Sequence, residues 1–142
     1  MKKTYVLLSL ALAVVLSAVA LNSKNHFKDG VYKGESRSVY TNEPFWGQVT
    51  LEIKNDNVTL ITFRIVDKEK NEVFGPDYEK HFKDSSVYAE QCRNEVKGIK
   101  AYTKAFIKNK SLEPVDAITG ATWSYNLFKE ALNDALGKAL NK

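Results

Sequence analysis

Between residues 47 and 67 the side chains change character at almost every position, and that rhythm narrows the fold more than any other feature. In residues 47–54, Val49, Leu51 and Ile53 alternate with Thr50, Glu52 and Lys54. Asn55, Asp56 and Asn57 follow, residue types that suit a tight reversal. Residues 58–67 resume the pattern, with Ile61, Phe63 and Ile65 on one face. Successive strand residues point to opposite faces, so the segment reads as an antiparallel hairpin with one apolar side. A lone hairpin is marginal in water, so that side needs a cover.

The cover lies further along the chain, where the period lengthens. From Ser85 or Ser86, either of which suits a helix cap, Tyr88, Cys92, Val96, Ile99, Tyr102, Thr103 and Phe106 recur at three and four residues. Gly98 interrupts this helix and marks a bend or a close approach. After Pro114 a second stripe runs through Leu127, Phe128, Ala131, Leu132, Ala135, Leu136, Ala139 and Leu140, with Lys138 and Lys142 at its basic end. Before the hairpin, Gly30 and Gly34 bracket a strand-prone segment holding Val31 and Tyr32. Residues 68–74 read as an outward loop and Gly75-Pro76-Asp77 as a turn. The expected fold class is α+β: an antiparallel sheet built around the hairpin, with two amphipathic helices on one face.

Between the two helical stripes stands Asp116-Ala117-Ile118-Thr119-Gly120-Ala121-Thr122. It puts a threonine hydroxyl at a helix start, where unpaired N–H groups and a partial positive charge favour a phosphate. Gly120 permits a sharp turn and Ala121 keeps the approach open. The plainer reading makes Thr122 an N-cap.

The pattern Asp-x-x-Ser/Thr-Gly-Ala-Thr resembles the flavinylation motif of the FMN-binding domain family, which includes flavin subunits of sodium- and proton-linked respiratory complexes. The Asp-Gly-x-Tyr-x-Gly run at residues 29–34 and the hairpin also resemble that family. Thr119 stands where serine is commoner, and a bulky Trp123 follows Thr122. The resemblance implies FMN joined covalently to Thr122 through a phosphoester bond by a separate FAD-dependent flavin transferase. It implies an electron-transfer carrier rather than a stand-alone enzyme, with a redox partner that a membrane electron-transport complex would supply. Asp116 would then position the loop, Thr119 would hydrogen-bond near the phosphate, and the N–H groups of Gly120 and Ala121 would line it. Trp46 is a weaker candidate for stacking on the flavin, against the commoner role of packing. Two other readings stand beside this one: an exported non-redox binding or inhibitor module, and a protein that binds FMN without a covalent bond.

The N-terminus bears on destination. Lys2-Lys3 precedes an apolar run ending in Ala18-Val19-Ala20, the layout of a secretory signal. Residues 1–20 are therefore expected to be a signal peptide, or an uncleaved anchor; residues 21–28 form a linker and residues 29–142 the domain. An extracytoplasmic location follows. Cys92 is the sole cysteine, which excludes an intrachain disulfide and reads as a small apolar residue on a helix face. The net charge of +4 includes Lys2 and Lys3, and no basic-aromatic stripe supports nucleic-acid binding. His26 and His81 are isolated and expected at the surface, without metal-ligand spacing. Glu52 and Asp67 are single carboxylates on strands, expected to be surface groups.

Overall fold

The protein's structure, a computed structural model, describes residues 26–37, 43–109 and 118–140. The expected signal segment and Asp116 lie outside those residues. Four strands form one antiparallel sheet in chain order: β1 (Gly30–Arg37), β2 (Phe45–Lys54), β3 (Asn57–Asp67) and β4 (Glu72–Val73). A 3₁₀ helix (Pro76–Phe82) leads to α1 (Ser86–Asn109), and α2 (Thr122–Ala139) closes the domain. Both helices cover the face that Val49, Leu51, Ile53, Phe63 and Ile65 present. The α+β arrangement expected from the two periods is the one observed. Among the described residues, no helix is long and apolar enough to cross a membrane.

The hairpin turns on two residues, not three. Asn55 and Asp56 have φ of 50° and 63°, and Asn57 already pairs with Lys54 in the ladder. Two positive φ angles match the twist of the flanking strands, and asparagine and aspartate tolerate them. The turn also anchors the chain's approach. The Phe27 N–H donates to Asp56 Oδ1 at 2.6 Å, and His26 Nδ1 lies 2.9 Å from Asp56 Oδ2. Phe27 bridges to Leu140, and the Lys28 N–H donates to the Ala139 carbonyl at 2.8 Å. Residues 26–28 are thus part of the packed domain.

Helix α2 lies unusually close to β1. A Cβ on Gly34 would come within 2.0 Å of the Ala131 carbonyl oxygen, so only glycine fits there. Ala131 and Ala135 on the facing side are both fully buried. The Ser36 hydroxyl donates to the Leu127 carbonyl at 2.7 Å, pinning the same contact. The small residues of the second stripe are there for backbone-to-backbone approach, which fixes where the helix begins.

Four further expectations need correction. The loop after β3 returns as β4, pairing Val66 with Val73 and Asp67 with Glu72. Gly75-Pro76-Asp77 opens the 3₁₀ helix, proline being suited to a first helical position. Asp67 is fully buried, because that 3₁₀ helix folds back over the strand end and brings the Tyr78 hydroxyl to Asp67 Oδ2 at 2.6 Å. On α1 the buried line runs Ala89, Cys92, Glu95, Gly98, Tyr102 and Phe106, which turns Tyr88 outward. Ser85 caps this helix only loosely, its Oγ accepting the Tyr88 N–H at 3.4 Å.

Candidate functional site

The approach to α2 is a four-residue turn held from outside by one hydroxyl. The Ala121 N–H donates to the Ile118 carbonyl at 2.9 Å, closing the turn. Gly120 sits at φ 80°, the left-handed value that the third position of a type II turn demands. Tyr102 reaches up from α1 to both ends of it. Its hydroxyl accepts the Ile118 N–H at 2.9 Å and donates to the Ala121 carbonyl at 2.8 Å. Burial pushes the Tyr102 hydroxyl above the usual tyrosine range, so its proton stays in place to donate.

Thr122 is the first helical residue and not the cap. Ala121 holds the cap position, with φ −131° and ψ 28°, and has no side chain that could bond. Thr122 is exposed, and its hydroxyl forms no hydrogen bond among the described residues. None of the described residues therefore makes structural use of that hydroxyl. The third helical N–H, from Ser124, donates to Glu95 Oε2 at 2.9 Å, a buried carboxylate supplied by the other helix. The N–H groups of Thr122 and Trp123 have no acceptor among the described residues, as expected for a first turn whose cap lacks a polar side chain.

Helix α1 backs this turn closely. A Cβ on Gly98 would come within 2.6 Å of Ala121 Cβ, so glycine here allows the two helices to touch. Asn94 lies over Gly120, its Nδ2 at 3.1 Å from the position of an added Cβ. Its side-chain amide has no partner among the described residues. Gly98 therefore reads as close packing, one of the two roles open to it in the sequence.

At the first turn of α2, whose Trp123 lines it, a cleft of about 380 Å³ opens between the sheet end and α1. Phe45, Phe74, Phe82, Tyr88 and Trp123 give it aromatic walls, and Glu43, Gln91, Cys92 and Glu95 complete the lining. Trp123 meets Phe45 and Phe74 edge-on, with ring centroids 5.1 and 5.2 Å apart. Its Nε1–H donates to Glu43 Oε2 at 3.1 Å. Burial, and secondarily the charge of Glu79, push the Cys92 thiol above its ordinary range, which keeps it an unreactive thiol. The expected apolar role of Cys92 agrees with its 3% exposure.

Of the residues singled out in the sequence, Thr119, Gly120, Ala121 and Thr122 are gathered in this turn. The Ala121 N–H is committed to Ile118, whereas the N–H groups of Gly120, Thr122 and Trp123 have no acceptor among the described residues. Trp46 stands apart. Its neighbour Phe45 lines the cleft, while Trp46 points to the outer face, under the Lys68 ammonium 3.6 Å from the ring centroid. Glu95, Asn94 and Glu43 escaped the sequence reading. Glu95 had a readable signal: it stands three residues from both Cys92 and Gly98, within the buried line.

An exposed alcohol, helix-start N–H groups that have no acceptor among the described residues, and an adjoining aromatic cleft can together hold a phosphate and a planar ring. The family profile described as FMN-binding domain matches residues 42–137, which include this turn and every residue lining the cleft. No curated protein matches the chain. The crystal structure of the CPE2226 protein from Clostridium perfringens is similar, with a TM-score of 0.52 and 21% identity over 80% of this chain and 93% of that one. At that identity the likeness shows a shared fold.

Proposed function

The chain belongs to the FMN-binding domain family, and on that premise we propose that it is an exported flavoprotein carrying FMN on Thr122 through a phosphoester bond, as an extracytoplasmic electron carrier. The observation that carries this reading is the exposed Thr122 hydroxyl, which the fold leaves without a partner among the described residues. A threonine kept at this position for stability would be the cap, and it is not.

The residues present fit the group. The cleft falls within the usual range for small-molecule sites, roughly 300–1,000 Å³. Its aromatic walls suit a flat ring, and the Thr122 and Trp123 N–H groups suit a phosphate at the positive end of a helix. Asn94 adds an amide donor on the far side of Gly120. Bound FMN would supply the electron chemistry, and the protein would supply orientation and exclusion of water. In the attachment, the Thr122 oxygen takes the FMN phosphoryl group from FAD held by a separate transferase. AMP leaves, and the hydroxyl proton passes to the transferase.

The test is the mass of the exported protein produced with the transferase. The expected gain is one FMN less one water, with yellow colour that stays on the polypeptide through acid precipitation. Thr122→Val should abolish both. Colour released by acid would replace this reading with non-covalent binding. A colourless, unmodified protein in a competent host would favour a non-redox binding module.

A further inference from the structure

Among the described residues, two carboxylates line the cleft, and no lysine, arginine or histidine does. Both are fixed by the first turn of α2. Trp123 Nε1–H donates to Glu43 at 3.1 Å, and the Ser124 N–H donates to Glu95 at 2.9 Å. Each is thereby tied to a residue next to or near Thr122 and is not free to swing into solvent. The Glu95 carboxylate complements the partial positive charge of that helix end. Arg93, the basic residue beside Cys92, is engaged with Glu79.

We infer that Glu43 and Glu95 give this cleft a redox preference, so that it holds an oxidised isoalloxazine more tightly than a reduced one. The inference rests on the reading of the cleft as a flavin site. When two electrons and one proton are accepted from a donor, the ring gains one negative charge. Fixed carboxylates nearby oppose that charge, and walls built from Phe45, Phe74 and Trp123 reduce the screening between them. Free flavin in water meets no such opposition. The site therefore favours giving electrons away over keeping them, which suits a carrier at the low-potential end of a chain of redox partners.

The experiment uses the Thr122→Val protein and lumiflavin, an isoalloxazine with no phosphate, titrated anaerobically in its oxidised form and after reduction with dithionite. Oxidised lumiflavin should bind more tightly. Glu95→Gln and Glu43→Gln should each shrink the affinity ratio by roughly three- to tenfold, the scale of one partly screened charge. Gln91→Glu, which adds a carboxylate to the same lining, should widen it. Glutamine keeps an acceptor oxygen for the Ser124 and Trp123 donors, and a thermal melt checks that each variant folds. Equal affinities for the two forms, a ratio unmoved by both glutamine variants, or no lumiflavin binding would each overturn the inference. Thr122 takes no part in this measurement, so an unmodified Thr122 would defeat the covalent reading alone. In protein loaded with flavin, the same glutamine variants should move the midpoint potential in the positive direction.

Discussion

Asp67 and Glu95 are the two carboxylates buried among the described residues, and their surroundings differ in a way that separates scaffold from site. Asp67 is saturated. Its Oδ1 accepts the N–H groups of Glu69 and Lys70 at 2.9 and 3.0 Å. Its Oδ2 accepts the Tyr78 hydroxyl at 2.6 Å and the Lys70 ammonium at 3.1 Å. Glu95 receives the Ser124 N–H at Oε2 and borders the cleft. Burying a carboxylate is costly unless hydrogen bonds compensate it. At Asp67 the compensation comes wholly from the strand end, its turn and the 3₁₀ helix, and holds that corner together. At Glu95 it comes from the first turn of α2, so the same carboxylate both caps the helix and faces the cleft.

The largest effect should come from breaking the saturated corner. Asp67→Ala leaves the Tyr78 hydroxyl and two N–H groups without their acceptor, and should cost about 3–5 kcal/mol in urea unfolding. Acid should act on the same corner. Burial works to raise the Asp67 pKa, but the hydrogen bonds from Tyr78 and Lys70 outweigh it and hold the pKa below the usual aspartate range. The stabilisation from Asp67 is therefore complete above the unfolded value, about pH 4, and is lost as pH falls through the lower folded value. Asp67→Asn should flatten that part of the stability-versus-pH curve. An unchanged acid limb would mean that Asp67 is not the group responsible.

At the other carboxylate the loss should be smaller and should depend on which substitution is made. Glu95→Ala strands one buried N–H and should cost about 1–3 kcal/mol, whereas Glu95→Gln retains an acceptor and should cost under about 1 kcal/mol. Equal losses for the two variants would show that the carboxylate charge, rather than the cap bond, stabilises the fold. The smallest effect belongs to Thr122. Thr122→Val should change stability by no more than about 0.5 kcal/mol, since an exposed hydroxyl with no bond to the described residues has little to lose. A larger drop in melting temperature would mean that the hydroxyl serves the fold after all.

Much of the architecture was legible because it follows from local periodicity. Val49, Leu51 and Ile53 declare one face of a strand whatever lies across from them, and Leu127, Phe128, Ala131 and Leu132 declare one face of a helix. The turn at Ile118–Ala121 was legible too, through Gly120, whose left-handed φ few other residues adopt readily. The position of Thr122 was less so. Sequence allowed it to be the cap, and only the register of the turn made Ala121 the cap instead.

The chain's residues by themselves determined the hairpin, the two helical faces and the seven-residue segment that carries the family resemblance. The tertiary structure decided that Asp67 is buried, that Phe45 rather than Trp46 faces the cleft, and that Glu95 reaches across to cap a helix it does not belong to. The physical reason is one of range. A strand or helix period states which side chains share a face, and that depends only on backbone geometry. Which element comes to lie against that face depends on contacts such as Gly34 with Ala131 and Gly98 with Ala121, between residues far apart in the chain, where no local pattern reaches.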